Sequence, residues 1–242
     1  MEDIEKKVET LKQWIKESKN IVFFGGAGVS TESGIPDFRS VDGLYNQKFE
    51  YPPEKILSRS FYCYKQEYFY RFYREKMLPL GYEPNVTHKV LARLEKEGKL
   101  SAVVTQNIDG LHQKAGSKIV HELHGSIHRN YCLQCKKEYP AEFIRDSVGI
   151  PLCEECGGII KPDVTLYEEP LKGEVIEAAC KAISQADMLI VAGSSLTVYP
   201  AANFIDLYRG RRLVLINRDP TNSDAWANLL IHANLGDVFS KL

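Results

Sequence analysis

Four cysteines form the most specific chemical pattern in this sequence. Cys132 and Cys135 make one C-x-x-C pair, Cys153 and Cys156 make a second, and 17 residues separate the pairs. This spacing is typical of a Cys₄ zinc ribbon, in which four thiolates complete a tetrahedron and leave no open position. A thioredoxin-like redox pair is disfavoured because two matched pairs lie outside a βαβ unit. The sequence therefore predicts one structural zinc ion.

A second pattern with chemical potential is the segment 25–39, which reads G-G-A-G-V-S-T-E-S-G-I-P-D-F-R after a short apolar run. A glycine-rich turn after a buried strand commonly presents backbone N–H groups to a phosphate. The segment departs from the dinucleotide fingerprint, because Ser replaces the third glycine and no strand precedes an acidic residue about 20 positions on. Phe38 could exclude water, and Arg39 could bind a pyrophosphate or carboxylate. We expect the loop to bind a cofactor and to close over it, although glycine turns are often only tight connections.

Polar side chains follow three further apolar runs. The segment 105–109, T-Q-N-I-D, could hydrogen-bond a ribose and a carboxamide, although Asn and Asp are also common caps of helices. Ser194 and Ser195 follow a later run, and Asn217 ends the next one. Because ligands of open α/β sheets bind at the carboxyl ends of the strands, we expect these groups to line one site.

His124 is a candidate general base, because an imidazole titrates near neutral pH and can accept a hydroxyl proton. His121 and His128 lie close to it in sequence. Spacing alone does not separate the three histidines.

Alternating strands and amphipathic helices are expected to position these groups. They predict an α/β fold: a Rossmann-like, doubly wound, mostly parallel sheet with a smaller zinc-ribbon and helical module. The predicted helices lie at the N-terminus, within 61–77 with Ser60 as a possible cap, from 84 to Gly98, over 173–184 and from Tyr199 or Pro200. The predicted strands cover 21–24, 102–105, a stretch near Ile119, 188–191 and 213–217.

Composition limits the possible partners. The 242 residues carry 31 basic and 32 acidic side chains, a net charge of −1, so neither nucleic acid nor a membrane surface is an expected partner. The mixed-charge N-terminus does not resemble a signal peptide, and no apolar run approaches the length that crosses a membrane. We expect a cytoplasmic protein.

In this order and combination, the motifs resemble those of the sirtuins, which are NAD-dependent protein lysine deacylases. The resemblance covers nearly the whole chain and is carried by the glycine segment, T-Q-N-I-D, the H-G pair at 124–125, the two C-x-x-C pairs, G-S-S-L and the late I-N. It implies a Rossmann-like NAD-binding domain formed by 1–40, 84–127 and 162–242. A helical module, 41–83, and a zinc ribbon, 128–161, would form the small domain.

The resemblance also implies roles for individual residues. Acyl groups would pass from lysines of proteins or peptides to NAD, which gives nicotinamide, O-acyl-ADP-ribose and free lysine, with zinc purely structural. His124, as general base, and Asn107 would be catalytic. The residues implied to contact NAD are Ala27, Thr31, Phe38, Arg39, Gln106, Ile108, Asp109, His124, Ser194, Ser195, Asn217, Asp237 and Val238.

The sequence departs from the family pattern at two places. In the loop that pairs with the substrate peptide, residues 161–169, Glu168 stands where the family has glycine, so this backbone could be shaped differently. Family members that prefer succinyl-lysine carry Tyr and Arg three positions apart, whereas Tyr70 is followed at that offset by Tyr73, with Arg74 one place later. We therefore expect uncharged acyl groups to be preferred.

Two alternative functions fit part of the pattern. A mono-ADP-ribosyltransferase on the same scaffold would keep the NAD loops but would not need His124 as a base. A zinc-ribbon module that binds nucleic acid is disfavoured, because the ribbon segment mixes Lys136 and Lys137 with Glu138, Glu154 and Glu155.

Overall fold

The structure is a computed structural model that describes residues 2–38, 43–197 and 201–242. In chain order the strands are Ile21–Gly25 (β1), Leu100–Thr105 (β2), Val120–Glu122 (β3), Gly125–Cys132 (β4), Glu138–Tyr139 (β5), Ile160–Val164 (β6), Met188–Ala192 (β7), Leu213–Asn217 (β8) and Leu229–His232 (β9). The α-helices are Glu2–Glu17 (α1), Pro53–Ile56 (α2), Arg59–Tyr64 (α3), Gln66–Phe72 (α4), Val86–Lys96 (α5), Leu111–Ala115 (α6), Ala141–Asp146 (α7), Gly173–Gln185 (α8) and Leu235–Phe239 (α9).

Six strands form one parallel sheet in the order β3-β2-β1-β7-β8-β9. Every residue of β1, β7 and β8 is buried, as expected for strands that are covered on both faces. One face packs under α1, α5 and α9, and the other packs under α8 and the 3₁₀ helix Ala201–Leu207. The predicted doubly wound α/β fold is confirmed. The strand β9 and the helix α9 lie outside the predicted elements.

The smaller part of the molecule has one continuous apolar core. Its antiparallel sheet, β5-β4-β6, packs against α2, α3 and α4 and the π-helical turn Tyr73–Met77. The buried Tyr70 hydroxyl donates to the carbonyl oxygen of Ile160 at 2.7 Å, which joins the helices to the ribbon. Because β4 begins at Gly125 and β6 ends at Val164, the predicted boundaries at 127/128 and 161/162 fall inside these strands.

The helical module differs in detail from the prediction. The cap is Ser58 and not Ser60, since the Ser58 hydroxyl accepts the amide hydrogen of Phe61 at 3.2 Å. The predicted helix within 61–77 is divided between α3, α4 and the π-helical turn that follows. Within the described residues, no helix combines the length and apolarity that a membrane crossing requires.

A buried pair of histidines lies at the contact between α5 and α6. The rings of His88 and His112 lie 4.7 Å apart, centroid to centroid, and both side chains are almost fully buried. Burial lowers the pKa of His88 to about 4 and that of His112 to about 3, from 6.5. Asn85, which caps α5, also donates to the carbonyl oxygen of Val29 at 2.8 Å, so this region supports the glycine segment.

The histidine pair predicts a loss of stability in acid. The unfolded chain takes up these protons near pH 6.5, whereas the folded chain takes them up only near pH 4 or below, so the free energy of unfolding falls as the pH falls through this interval. Each histidine contributes a slope of up to about 1.4 kcal/mol per pH unit. Urea denaturation between pH 7.5 and 4.5 measures it. His112→Phe should flatten the slope, and Gln113→Ala, which removes an exposed neutral side chain from the same helix, should leave it unchanged.

Candidate active site

The sheet register brings the predicted motifs to one edge. Gly25, the last residue of β1, pairs with Thr105 on one side and with Ala192 on the other, and Ala192 pairs with Ile216. The chain leaves β1 towards β2 and β3 and later returns through β7, so strand order reverses between β1 and β7. Such a reversal opens a crevice at the carboxyl ends of the strands, where ligands of open α/β sheets bind.

The glycines of the segment 25–39 serve first to pack two loops together. A Cβ on Gly26 would lie 2.7 Å from the carbonyl oxygen of Gly193, and one on Gly28 would lie 2.8 Å from the Cα of Gly193. The amide of Gly28 donates to the same carbonyl oxygen at 2.9 Å. The close approach that these glycines permit is therefore to the loop after β7, within the protein, and this contact builds the floor of the crevice.

Three buried side chains form a hydrogen-bonded group beside this floor. The Ser30 hydroxyl donates to Asp109 at 2.7 Å and accepts from the Asn107 amide at 3.1 Å. Asp109 also accepts the amide hydrogen of Leu111, the first residue of α6, at 2.9 Å, so the start of α6 and the site use the same carboxylate. Burial raises the pKa of Asp109. Ser30 was not singled out from the sequence, although it lies within the glycine segment.

A second group spans the crevice. The Ser194 hydroxyl donates to the Gln106 side chain at 2.9 Å, and the Ser194 amide donates to the Asn217 side-chain oxygen at 3.1 Å. The side-chain nitrogens of Gln106 and Asn217 are buried and have no hydrogen-bond partner among the described residues. Because buried donors are normally satisfied, these two amides are suited to donate to a polar ligand at this edge.

His124 faces this edge with a defined tautomer. Its Nδ1 lies 2.9 Å from the carbonyl oxygen of Gln106, and since a carbonyl only accepts, Nδ1 carries the proton and Nε2 keeps its lone pair. Burial lowers the pKa of His124, so the ring is neutral at pH 7. His128 instead binds the carbonyl oxygen of Asp109 through Nε2 at 3.0 Å, and His121 lies within β3. These contacts distinguish the three histidines, which spacing could not do.

The remaining predicted contacts are spread around the crevice. Ala27 is half-buried in a 3₁₀ turn, Thr31 is exposed and its hydroxyl donates to the carbonyl oxygen of Gly28, and Ile108 packs against the smaller core. Phe38 packs against Tyr45 with ring centroids 5.5 Å apart, and Arg39 lies outside the described residues.

The residues predicted at the far end of the crevice differ in exposure. Ser195 is exposed and shares a hydrogen bond of 2.9 Å with Thr197. Asp237 is exposed on α9, whereas the Val238 side chain is fully buried in the core of the large sheet. Val238 can therefore meet a ligand only through its backbone.

An ionic network that the sequence did not reveal joins the two parts of the molecule beside His124. Arg129 on β4 donates to Glu122, at the end of β3, at 2.7 Å and to Asp163 on β6 at 2.9 Å. Lys172 lies 2.6 Å from the other oxygen of Asp163. The amide of Thr165 donates to the carbonyl oxygen of His124 at 2.9 Å, so the loop after β6 is also tied to the histidine.

The four predicted cysteines form one cluster. Their sulfur atoms all lie within 4.8 Å of one another, and the pairs Cys132–Cys156 and Cys135–Cys153 are 3.4 and 3.5 Å apart. A disulfide would need about 2.05 Å, whereas sulfurs around a tetrahedral zinc at about 2.3 Å lie close to these distances. The donor set and spacing therefore fit one zinc ion without an open coordination position.

Comparisons with known proteins cover nearly the whole chain. The model of the Sir2 family matches residues 26–200. A Clostridium perfringens (strain 13 / Type A) protein named NAD-dependent protein deacetylase is 56% identical over 239 residues, which is 98% of this chain and 98% of the relative. A protein of the same name from Cutibacterium acnes is 51% identical over 97% of this chain and 96% of its own length.

Solved structures give the same result. A Sir2 protein with a p53 peptide and NAD+ superimposes with a TM-score of 0.86 at 38% identity, over 97% of this chain and 96% of that one. A Sir2 protein bound to a propionylated peptide has a TM-score of 0.86 at 37% identity, over the same shares of the two chains.

The cysteine cluster predicts a specific loss on substitution. Cys135→Ala should lose the zinc ion and lower the melting temperature and solubility, because structural zinc binding contributes directly to folding. Metal content by atomic absorption and calorimetric melting measure these effects. Cys63→Ala, which removes an exposed thiol outside the cluster, should keep one zinc per chain. Retained zinc in Cys135→Ala would contradict the assignment.

The contact between the loops after β1 and β7 predicts that one added methyl group at Gly28 lowers the free energy of unfolding. Gly28→Ala places a Cβ against the backbone of Gly193, and overpacking of this kind costs about 1–3 kcal/mol in the free energy of unfolding. Gly173→Ala is the matched control, because its Cβ would meet open space at the start of α8. Urea denaturation of both variants tests the prediction, which is wrong if the two curves coincide.

Proposed function

This chain belongs to the Sir2 family, and we infer that it is an NAD-dependent protein deacetylase in which His124 acts as the general base. The inference is carried by one observation: His124, Asn107, Asp109 and Ser30 converge beside the crevice between β1 and β7. The products are nicotinamide, O-acyl-ADP-ribose and free lysine. Structures of Sir2 proteins with NAD+ and with a p53 peptide support both substrates.

The residues of the crevice fit NAD. The unpartnered amide nitrogens of Gln106 and Asn217 can donate to ribose or phosphate oxygens, and Ser194 lies between them. Asn107 and Asp109, held by Ser30, can bind the nicotinamide end of the cofactor. When bound, NAD supplies the ribose carbon that accepts the acyl oxygen, with nicotinamide as the leaving group.

His124 provides the base through its geometry. The carbonyl oxygen of Gln106 fixes the proton on Nδ1, so the Nε2 lone pair can take a proton from a ribose hydroxyl. Because burial lowers the pKa of the ring, the basic form predominates at pH 7 and no proton has to be lost first. Asn107 is proposed as the second catalytic residue, which orients groups at the same edge.

The other predicted NAD contacts surround these groups. Ala27, Thr31 and Phe38 lie within the glycine segment, and Ile108 follows Asn107 and packs against the smaller core. Ser195, Asp237 and the backbone of Val238 are proposed for the adenine end.

The zinc ion supports the fold and takes no part in the reaction. Two of its four ligands, Cys132 and Cys153, are buried in the smaller core, which we propose as the small domain of the predicted division, with residues 1–40, 84–127 and 162–242 as the NAD-binding domain. The acylated lysine is proposed to enter between the two. We also propose a cytoplasmic location, because a reducing compartment keeps the four cysteines as thiols that can bind the metal.

Uncharged acyl groups are the preferred substrates in this proposal. Tyr70 is fully buried, and its hydroxyl is committed to Ile160, while Tyr73 is fully buried beside it. The Arg74 guanidinium donates to the carbonyl oxygen of Ile144 at 2.9 Å and to the Ser147 hydroxyl at 2.8 Å. Arg74 is therefore engaged in packing the ribbon, which supports acetyl and propionyl over succinyl chains.

Incubation of the protein with NAD and an acetylated peptide tests the function. We expect one nicotinamide and one O-acetyl-ADP-ribose for each peptide deacetylated, with slower turnover of a succinylated peptide. A mono-ADP-ribosyltransferase would instead label protein and leave the acetyl group in place. The comparisons do not favour that alternative.

Substitution of His124 separates the base from cofactor binding. His124→Ala should reduce deacetylation by at least about 100-fold, the usual contribution of a general base, and should retain NAD affinity. In the wild type, kcat/KM should fall as the pH falls through the lowered pKa of His124, below 6.5, because the protonated ring cannot accept a proton. His121→Ala, three residues earlier on β3, is the control and should turn over normally. Unchanged turnover in His124→Ala would remove this residue from the mechanism.

A further inference from the structure

Glu168 adopts a backbone conformation that favours glycine. Its φ angle is +72°, which places it in the left-handed region where a Cβ is unfavourable. The sirtuin pattern has glycine at this position. The loop of this chain therefore has the glycine-like backbone conformation, although glutamate adopts that conformation less easily than glycine. A side chain retained at such a position calls for a compensating contact.

The compensating contact is a hydrogen-bonded clamp to the start of α3. One carboxylate oxygen of Glu168 accepts the Ser60 amide hydrogen at 2.9 Å, and the Ser60 hydroxyl lies 2.8 and 2.7 Å from the two oxygens. These bonds with Ser60, with a smaller contribution from the charge of Arg59, lower the pKa of Glu168. The clamp is therefore fully charged at neutral pH.

The clamp fixes a segment that also holds the general base. The amide of Tyr167 donates to the carbonyl oxygen of Leu57, and the amide of Arg59 donates to that of Tyr167, both at 2.9 Å. At the other end of the segment, the Thr165 amide donates to the carbonyl oxygen of His124 at 2.9 Å. Residues 165–168 thus connect His124 to the helical module, and Glu168 is the side chain that secures the far end.

We propose that Glu168 is a positioning residue for the acylated peptide. By binding Ser60, it holds the substrate loop in its peptide-accepting shape before the peptide arrives. The peptide then does not have to order the loop, and this preorganisation strengthens peptide binding without adding a contact to the substrate. The inference rests on the proposed function, since it assumes that the peptide lies along this loop.

Kinetics of a small set of variants test the clamp. Glu168→Gly removes the carboxylate and restores free rotation, and it should raise KM for an acetylated peptide by roughly five- to tenfold, a typical effect of losing charged hydrogen bonds that order a loop. The kcat at saturating peptide and KM for NAD should stay within about twofold, because the clamp touches neither substrate directly. Glu168→Gln should lie between, since its amide oxygen can still accept from the Ser60 backbone.

A second variant and a control separate the loss of the clamp from general effects of substitution. Ser60→Ala removes only the hydroxyl half of the clamp and should shift KM for the peptide in the same direction by a smaller factor. Glu67→Gln neutralises an exposed acid on α4 and should change nothing. Hydrogen exchange of the Ser60 amide should accelerate in Glu168→Gly, and this readout does not require activity.

Two results would overturn the proposal. The first is an unchanged KM for the peptide in both Glu168→Gly and Ser60→Ala. The second is an increase confined to peptides with basic residues beside the acyl-lysine, which would mean that Glu168 contacts the substrate itself. The expected increase is equal for neutral, basic and acidic peptides. Absence of deacetylation by the wild type would refute the proposed function instead. Faster exchange of the Ser60 amide in Glu168→Gly would then still show that Glu168 orders the start of α3.

Discussion

The site depends on the close contact between the loops that follow β1 and β7. Gly26 and Gly28 lie against Gly193 at distances that no side chain would permit, and the Gly28 amide is bonded to the Gly193 carbonyl oxygen. Ser30 and Ser194 extend from these two loops, and each binds a side chain of the loop after β2. One backbone contact therefore sets the positions of three loops and of the side chains that we assign to NAD.

The same arrangement explains how a neutral histidine can be held as a base. The loop after β2 supplies the carbonyl oxygen of Gln106, which fixes the tautomer of His124, and it also carries Asn107 and Asp109. The proposed base and the residues proposed to bind nicotinamide are thus positioned by one short segment. Arg129 adds an ionic tie between Glu122 on β3, the strand before His124, and Asp163 on β6.

Local patterns in the sequence predicted much of this and tertiary contacts account for the rest. The cysteine spacing predicted the zinc cluster, and the alternation of apolar strands with amphipathic helices predicted the parallel sheet, because both patterns can be recognised in short segments of the chain. The partner of Gly26 and Gly28 could not be predicted, since Gly193 lies far along the chain. His124 is distinguished from His121 and His128 by what its ring contacts, which the sequence does not contain. The cap of α3 is Ser58, two residues before the predicted Ser60. The position of Glu168 was noted as unusual, but its bond to Ser60 required the fold.

The strand order has a consequence for how the chain folds. β1 lies at the centre of the sheet, and one of its neighbours, β7, begins at residue 188. During synthesis, β1, β2 and β3 emerge first and leave one long edge of β1 unpaired until most of the chain has been made. Unpaired edges promote aggregation, and distant pairings close slowly. The helices and ribbon of the smaller core lie between residues 44 and 166, so they are synthesised before that edge is covered. The smaller core can therefore fold while the NAD crevice still lacks the strands β7, β8 and β9.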